Sequence, residues 1–246
     1  MTNDNPAARL LNILEEGKKI DIGAGTKGAW MKVLAVKSTG FESESLLMAK
    51  LGQFMLLPHE TQALMSQHFP TQSKDMSHCI SCIQTGISKQ NLSGNWASFI
   101  SHIDAHTIST LSMSSALLDM KLETKLITTE ELDSLKQKVS AILDELIKTD
   151  LPSEFKKFMT HYLNKILSSI NDYFISGALP ILTSLEATLG HAVIDPEFRK
   201  TLKDSPIGEK IRGTLGDIAN VVTIAAAASG AAAFITKVGL PLLEMS

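Results

Sequence analysis

The residues with the clearest potential for chemistry are two cysteines and two histidines in the first half of the chain. Cys79 and Cys82 are separated by two residues, and His102 and His106 by three. Residues four apart share one face of a helix, so the two histidines could bind one ion while the thiolates complete a tetrahedral zinc site. The alternative is a pair of buried thiols and a pair of solvent-facing imidazoles. A structural zinc site is therefore one hypothesis, and the absence of any cofactor is the other.

The first residues of the chain predict its cellular compartment. The first six residues contain neither a basic region nor an apolar stretch of the kind found in secretory signal peptides. We therefore expect a cytoplasmic protein in a reducing compartment. Two cysteines are then more typical of thiols, a redox pair or metal ligands than of a structural disulfide.

Two other motifs match catalytic patterns only in part. Residues 23–28 read GAGTKG and fit G-x-G-x-x-G, but no strand is predicted before them, so we interpret them as a flexible connection. Ser153 and Lys156 fit S-x-x-K, yet the companion sequences of that motif are missing. No stronger catalytic signature is present, and we expect a protein that is not an enzyme.

The elements that must position these residues are predicted to be helices. Apolar residues recur at spacings of three and four along most of the 246 residues, which predicts an all-α multi-helix bundle. Thr128 and Glu131 form a capping box before one apolar stripe, and a second stripe follows the interruption at residues 150–152. The two stripes predict a central antiparallel helical hairpin. We expect three regions: 1–107, 108–205 and 206–246.

The third region contains an uncharged, alanine-rich stretch, Ile218–Thr236. As a helix, these residues would extend about 28 Å, close to the thickness of a bilayer core. Small residues in the pattern Ala226-x-x-x-Gly230 also favour close helix association. The segment thus predicts membrane insertion or self-association, with a buried core helix as the alternative. The residues expected to mediate either are Ile218, Val221, Val222, Ala226, Ala227, Gly230, Ala232, Phe234 and Ile235.

The order of elements from residue 128 to residue 240 supports a resemblance. LPSEF at 151–155, then Ile166, Ile170, Tyr173 and Gly177, precede the apolar segment. This layout resembles that of small, uncharacterised all-helical bacterial proteins with a C-terminal apolar segment. The resemblance implies a membrane-acting effector of bacterial defence, and it assigns a role to no individual residue.

Two functions are therefore favoured, with a metal-dependent enzyme as a third alternative. The first is a non-enzymatic protein that associates with the bacterial inner membrane through its C-terminal segment, as an oligomeric effector that perturbs permeability. The second is a soluble helical adaptor whose alanine-rich segment lies in its core or contacts a partner, with or without zinc. Both predict self-association or a protein partner. The net charge of −3 gives no reason to expect nucleic acid as a partner.

Overall fold

The computed structural model describes residues 4–37, 40–122, 124–225, 235–239 and 241. Most of these residues are helical, and no β-strand occurs among them. The predicted all-α class is confirmed. The helices form two compact units: unit 1 contains the described residues up to Leu122 together with Phe174–Gly177, and unit 2 contains the other described residues from Thr124 onward.

The described residues of unit 1 up to Leu122 contain six α-helices of very different length and one 3-10 helix, Gln72–Asp75. The α-helices are α1 (Pro6–Lys18), α2 (Thr26–Val33), α3 (Phe41–His68), α4 (Met76–Lys89), α5 (Ala97–Ile100) and α6 (Ala105–Asp119). Local sequence explains where α1 begins. Asn5 caps α1 by accepting a hydrogen bond from the Ala8 N–H, and Pro6 occupies the first turn, where its missing N–H costs nothing.

The core of unit 1 contains an aromatic cluster. Trp30, Phe54, Trp96 and Phe99 are at most 1% exposed, and their ring centroids lie 4.7 to 6.0 Å apart in the contacts they make. Both indole N–H groups are satisfied: Trp96 donates to the carbonyl of Gly17 at 2.9 Å, and Trp30 donates to Oε1 of Gln90 at 2.7 Å. The cluster therefore joins the first two helices to the segment between α4 and α6 without leaving a buried donor unpaired.

α3 differs from the sequence-based expectation. The proline at position 58 predicts a boundary between two helices, but α3 continues through it to His68. Proline lacks an N–H, so the Phe54 carbonyl loses its helical partner. Burial of Phe54, Leu57 and Met65 on one face keeps the helix continuous, because all three side chains pack into the core of unit 1.

Unit 2 contains the predicted hairpin and the helices that follow it. The elements are α7 (Thr129–Leu146), α8 (Ser153–Asn171), a short helix α9 (Tyr173–Ser176) that begins in unit 2 and continues in unit 1, α10 (Leu179–Ile194), α11 (Pro196–Asp204), α12 (Pro206–Ala225) and a π-helical turn (Ile235–Gly239). The capping box before α7 is present, with both reciprocal hydrogen bonds. The apolar stripes of α7 and α8 pack against each other in one core, which confirms the hairpin.

α12 packs antiparallel to α7. Two ion pairs connect them: Lys138 with Asp217 at 2.6 Å and Lys210 with Glu145 at 2.7 Å. Each pair is about half exposed, so it contributes little to stability, and the buried side chains between the helices hold them together.

The division of the chain differs from the three predicted regions. α6 runs across residue 107, because its apolar face belongs to the core of unit 1 up to Leu118. Residues 206–225 share a core with the hairpin instead of forming a separate region. The chain therefore divides near residue 123, and Ile175 returns to the core of unit 1.

The capping box provides a test of unit 2. Thr128→Ala removes the side-chain acceptor that pairs with the Glu131 N–H, and we expect a loss of about 1 kcal/mol in the free energy of unfolding, measured by urea denaturation. Thr128→Ser keeps the hydroxyl and serves as the control. Equal stability of the Ala and Ser variants would contradict this role for the hydroxyl.

Candidate functional site

One surface cluster of unit 1 brings metal-ligating atoms together. His78 and Cys82 lie one helical turn apart on α4, and Asp104 immediately precedes α6. Nε2 of His78 lies 2.8 Å from Oδ2 of Asp104 and 3.4 Å from Sγ of Cys82. One ligand atom from each of the three residues lies within 4.8 Å of those of the other two. A nitrogen, a sulfur and an oxygen atom therefore converge at one point of the surface.

The carboxylate of Asp104 has two separate contacts. Its Oδ1 accepts the N–H of Thr107 at 2.7 Å and so caps α6, while its Oδ2 points to His78. The hydrogen bond from His78, and next the backbone N–H of Thr107, hold the pKa of Asp104 well below its usual range. The cap through Oδ1 leaves Oδ2 directed at the cluster.

His106 lies beside the cluster. The ring centroids of His78 and His106 are 5.2 Å apart, with 56° between the ring planes. His106 is exposed on the first turn of α6, so its side chain has room to rotate toward the cluster.

The cluster does not have the geometry of a catalytic Cys-His-Asp relay. In such a relay the carboxylate holds one ring nitrogen and the nucleophile uses the other. Here Cys82 and Asp104 both approach Nε2 of His78. The two groups compete for one nitrogen, so proton transfer from thiol to carboxylate through the ring has no route in this arrangement.

The structure separates the four residues of the zinc hypothesis. Cys82 belongs to the cluster and His106 adjoins it. Cys79 faces the core, 0% exposed, with its Sγ 3.8 Å from the Thr107 carbonyl, and burial raises the pKa of its thiol to about 12. His102 is half-buried before α6 and is not part of the group of ligand atoms found among the described residues.

The other two members of the cluster, His78 and Asp104, were missed from the sequence. The spacing of His78 and Cys82, one turn apart on a helix, is a signal for a shared face. It is masked by the more conspicuous Cys79-x-x-Cys82 pattern. Asp104 is identifiable only as a helix cap, and its second role depends on how α4 and α6 pack.

Several residues of the C-terminal segment lie in the core of unit 2, whereas Asn220 among them is exposed. Ile218, Val222 and Ile235 are fully buried, and Val221 is half-buried beside a pocket of about 160 Å³ between the start of α7 and the end of α12. The remaining predicted positions, Ala226, Ala227, Gly230, Ala232 and Phe234, lie outside the described residues. Over the part of the chain that the structure describes, no helix is both long enough and apolar enough to cross a bilayer.

A second polar cluster lies in unit 2. Nδ1 of His191 lies 3.0 Å from the Tyr162 hydroxyl, and its Nε2 lies 3.4 Å from Oδ2 of Asp195. The His191 ring stacks on Phe198 at a centroid distance of 4.4 Å. These contacts join α8, α10 and α11, and they give this histidine a structural role.

Comparisons of this chain with models of protein families, with curated proteins and with solved structures found no match. The resemblance to bacterial membrane-acting effectors therefore stays a prediction.

The two cysteines differ enough in burial to be told apart chemically. With iodoacetamide under native conditions we expect Cys82 to be alkylated at least about 100-fold faster than Cys79, because Cys79 reacts only when the core opens. Both cysteines lie on one tryptic peptide, so fragment-ion sequencing of that peptide over time measures both rates. Denaturation in urea is the control and should abolish the difference between the two rates. Equal rates in the folded protein would contradict the packing of α4.

Proposed function

We propose that this chain is a non-enzymatic helical adaptor that acts by self-association, with the outward face of α3 as the contact between two copies. The observation that carries the proposal is the absence of charge on this face. Between Glu44 and Glu60, every exposed residue of α3 is uncharged. We call this surface the α3 face; its residues are Ser45, Leu46, Met48, Ala49, Gly52, Met55, Leu56 and His59.

The α3 face exposes large apolar side chains. Met48 and Met55 are 47% and 48% exposed, and Leu56 is 57% exposed. They lie at spacings of seven and eight residues, which places them on one side of the helix. A contiguous exposed apolar surface of this kind marks an interaction site more often than isolated exposed residues do, and methionine adapts well to a partner surface.

The charges at the ends of the α3 face are already paired within unit 1. Glu44 forms an ion pair with Lys27, and Glu60 lies 3.7 Å from the guanidinium of Arg9. These carboxylates therefore give the face little attraction for a basic partner. The chemistry of the surface favours another uncharged apolar helix.

The spacing on α3 fits a second copy of the same helix. When two copies cross antiparallel at Gly52, Met48 of each lies opposite Leu56 of the other, and Ala49 lies opposite Met55. Gly52 is exposed, and a Cβ there would meet no atom within 4 Å, so the backbones have room to approach at the crossing. One helix face supplies less than the roughly 800 Å² per partner of a standard interface, so we expect a reversible dimer.

In this proposal the described residues Ile218, Ala219 and Val222 stabilise the core of unit 2 and do not enter a membrane. Ile218, Ala219 and Val222 are 0% exposed in the same core as α7 and α8. Insertion into a membrane would require these side chains to leave that core. Their burial supports the adaptor over the membrane effector, and membrane insertion becomes an outcome of the second test below.

The dimer is tested with the full chain by sedimentation over a concentration series. Met55→Glu places a carboxylate in the contact and is expected to raise the dimer dissociation constant at least about 10-fold. Met113→Glu is the matched control, because Met113 is also 48% exposed and lies on α6. Gly52→Leu should leave the fold intact and raise helix propensity, yet weaken the dimer by separating the backbones. A wild-type chain that stays monomeric throughout would overturn the proposal.

The C-terminal segment is tested with two adjacent substitutions. Ala219→Glu buries an unpaired carboxylate and should lower the free energy of unfolding by on the order of 4 kcal/mol, whereas Asn220→Glu on the exposed side should change it little. Urea denaturation measures both. Vesicle leakage by the wild-type chain that both substitutions suppress would instead favour membrane insertion.

A further inference from the structure

We propose that His78, Cys82 and Asp104, with His106 as the fourth ligand, bind one Zn²⁺ ion on the surface of unit 1. The inference is independent of the self-association proposed above. It differs from the zinc hypothesis drawn from spacing, because it replaces Cys79 by His78 and His102 by Asp104.

The distances in the cluster are close to those of a tetrahedral site. Zinc bonds of about 2.0 to 2.3 Å to nitrogen, oxygen and sulfur place the ligand atoms about 3.3 to 3.6 Å from one another. The observed separations from His78 Nε2 are 2.8 Å to Asp104 and 3.4 Å to Cys82, and all three ligand atoms lie within 4.8 Å of one another. Movements of about 1 Å therefore suffice to bring the ligand atoms of these three residues to tetrahedral separations.

The two histidine rings also fit one ion. Imidazoles bound to a tetrahedral zinc ion through ring nitrogens have centroids about 5 Å apart. The centroids of His78 and His106 are 5.2 Å apart. Because His106 is exposed, rotation about its side-chain bonds can turn a nitrogen toward the ion without disturbing the core.

The donor set selects the class of metal. A thiolate with two imidazoles and one carboxylate favours zinc over magnesium and calcium, which prefer oxygen ligands alone. Asp104 is held by the Thr107 N–H through its other oxygen, which is the kind of outer contact that orients a ligand. The bound ion would tie the first two turns of α4 to the start of α6.

The test uses the untagged full chain, freed of metal, with ZnCl₂ as the probe. We expect one equivalent of zinc after desalting, and a rise in melting temperature of about 5 °C or more at saturating zinc. Replacement of the zinc ion by Co²⁺ should give the ligand-field absorption of a tetrahedral site together with a sulfur-to-cobalt charge-transfer band. Absence of stoichiometric metal in the folded wild-type protein overturns the proposal.

Matched variants decide which residues bind. Cys82→Ser and Asp104→Asn should each raise the zinc dissociation constant at least about 100-fold, since even changes outside the ligand shell cost 10- to 100-fold. Asn at position 104 still caps α6, so its effect separates binding from folding. Cys79→Ala and His102→Gln are the controls and should retain one equivalent. Loss of zinc in the controls but not in Asp104→Asn would return the site to the spacing-based set, and retention in every variant would show adventitious binding; either result overturns the proposal.

Discussion

The two tryptophans of unit 1 pack at nearly a right angle, with ring centroids 4.9 Å apart, and both are fully buried. Trp30 comes from α2, whereas Trp96 lies in the segment that leads from α4 to α6. Because Trp96 also donates its indole N–H to Gly17, this segment is held against α1. Gly86 adds to the constraint, since a Cβ there would lie 3.1 Å from the carbonyl oxygen of Phe99. The anchored segment brings Asp104 back to the start of α4.

The candidate metal site is a consequence of that return path. His78 and Cys82 are already on one face of α4, but α4 itself contains no Asp or Glu that could supply a carboxylate. Asp104 reaches them because the segment before α6 is fixed by the aromatic cluster and because the cap holds the carboxylate. The α3 face depends on the same core: burial of Phe54 and Leu57 on the inner side of α3 directs Met55 and Leu56 outward.

Local patterns predicted the hairpin of unit 2 but only part of the candidate site. The capping box at Thr128 and the stripes at spacings of three and four require only neighbouring residues, so they are readable from sequence. Pro58 does not end α3, although proline predicts a helix boundary, because burial of one helix face outweighs the loss of a single hydrogen bond. The Cys79-x-x-Cys82 spacing predicts two ligands, but spacing alone does not reveal which of two cysteines faces the core.

The sequence by itself determined the helical class, the caps and the uncharged character of residues 218–236, because these depend on residue type and short-range periodicity. Tertiary structure alone decided which thiol is exposed, which carboxylate meets it, and that Ile218 and Val222 lie in a core shared with α7. The physical reason is that burial and ligand convergence depend on contacts between residues distant in the chain. Such contacts depend on packing, which no local spacing encodes.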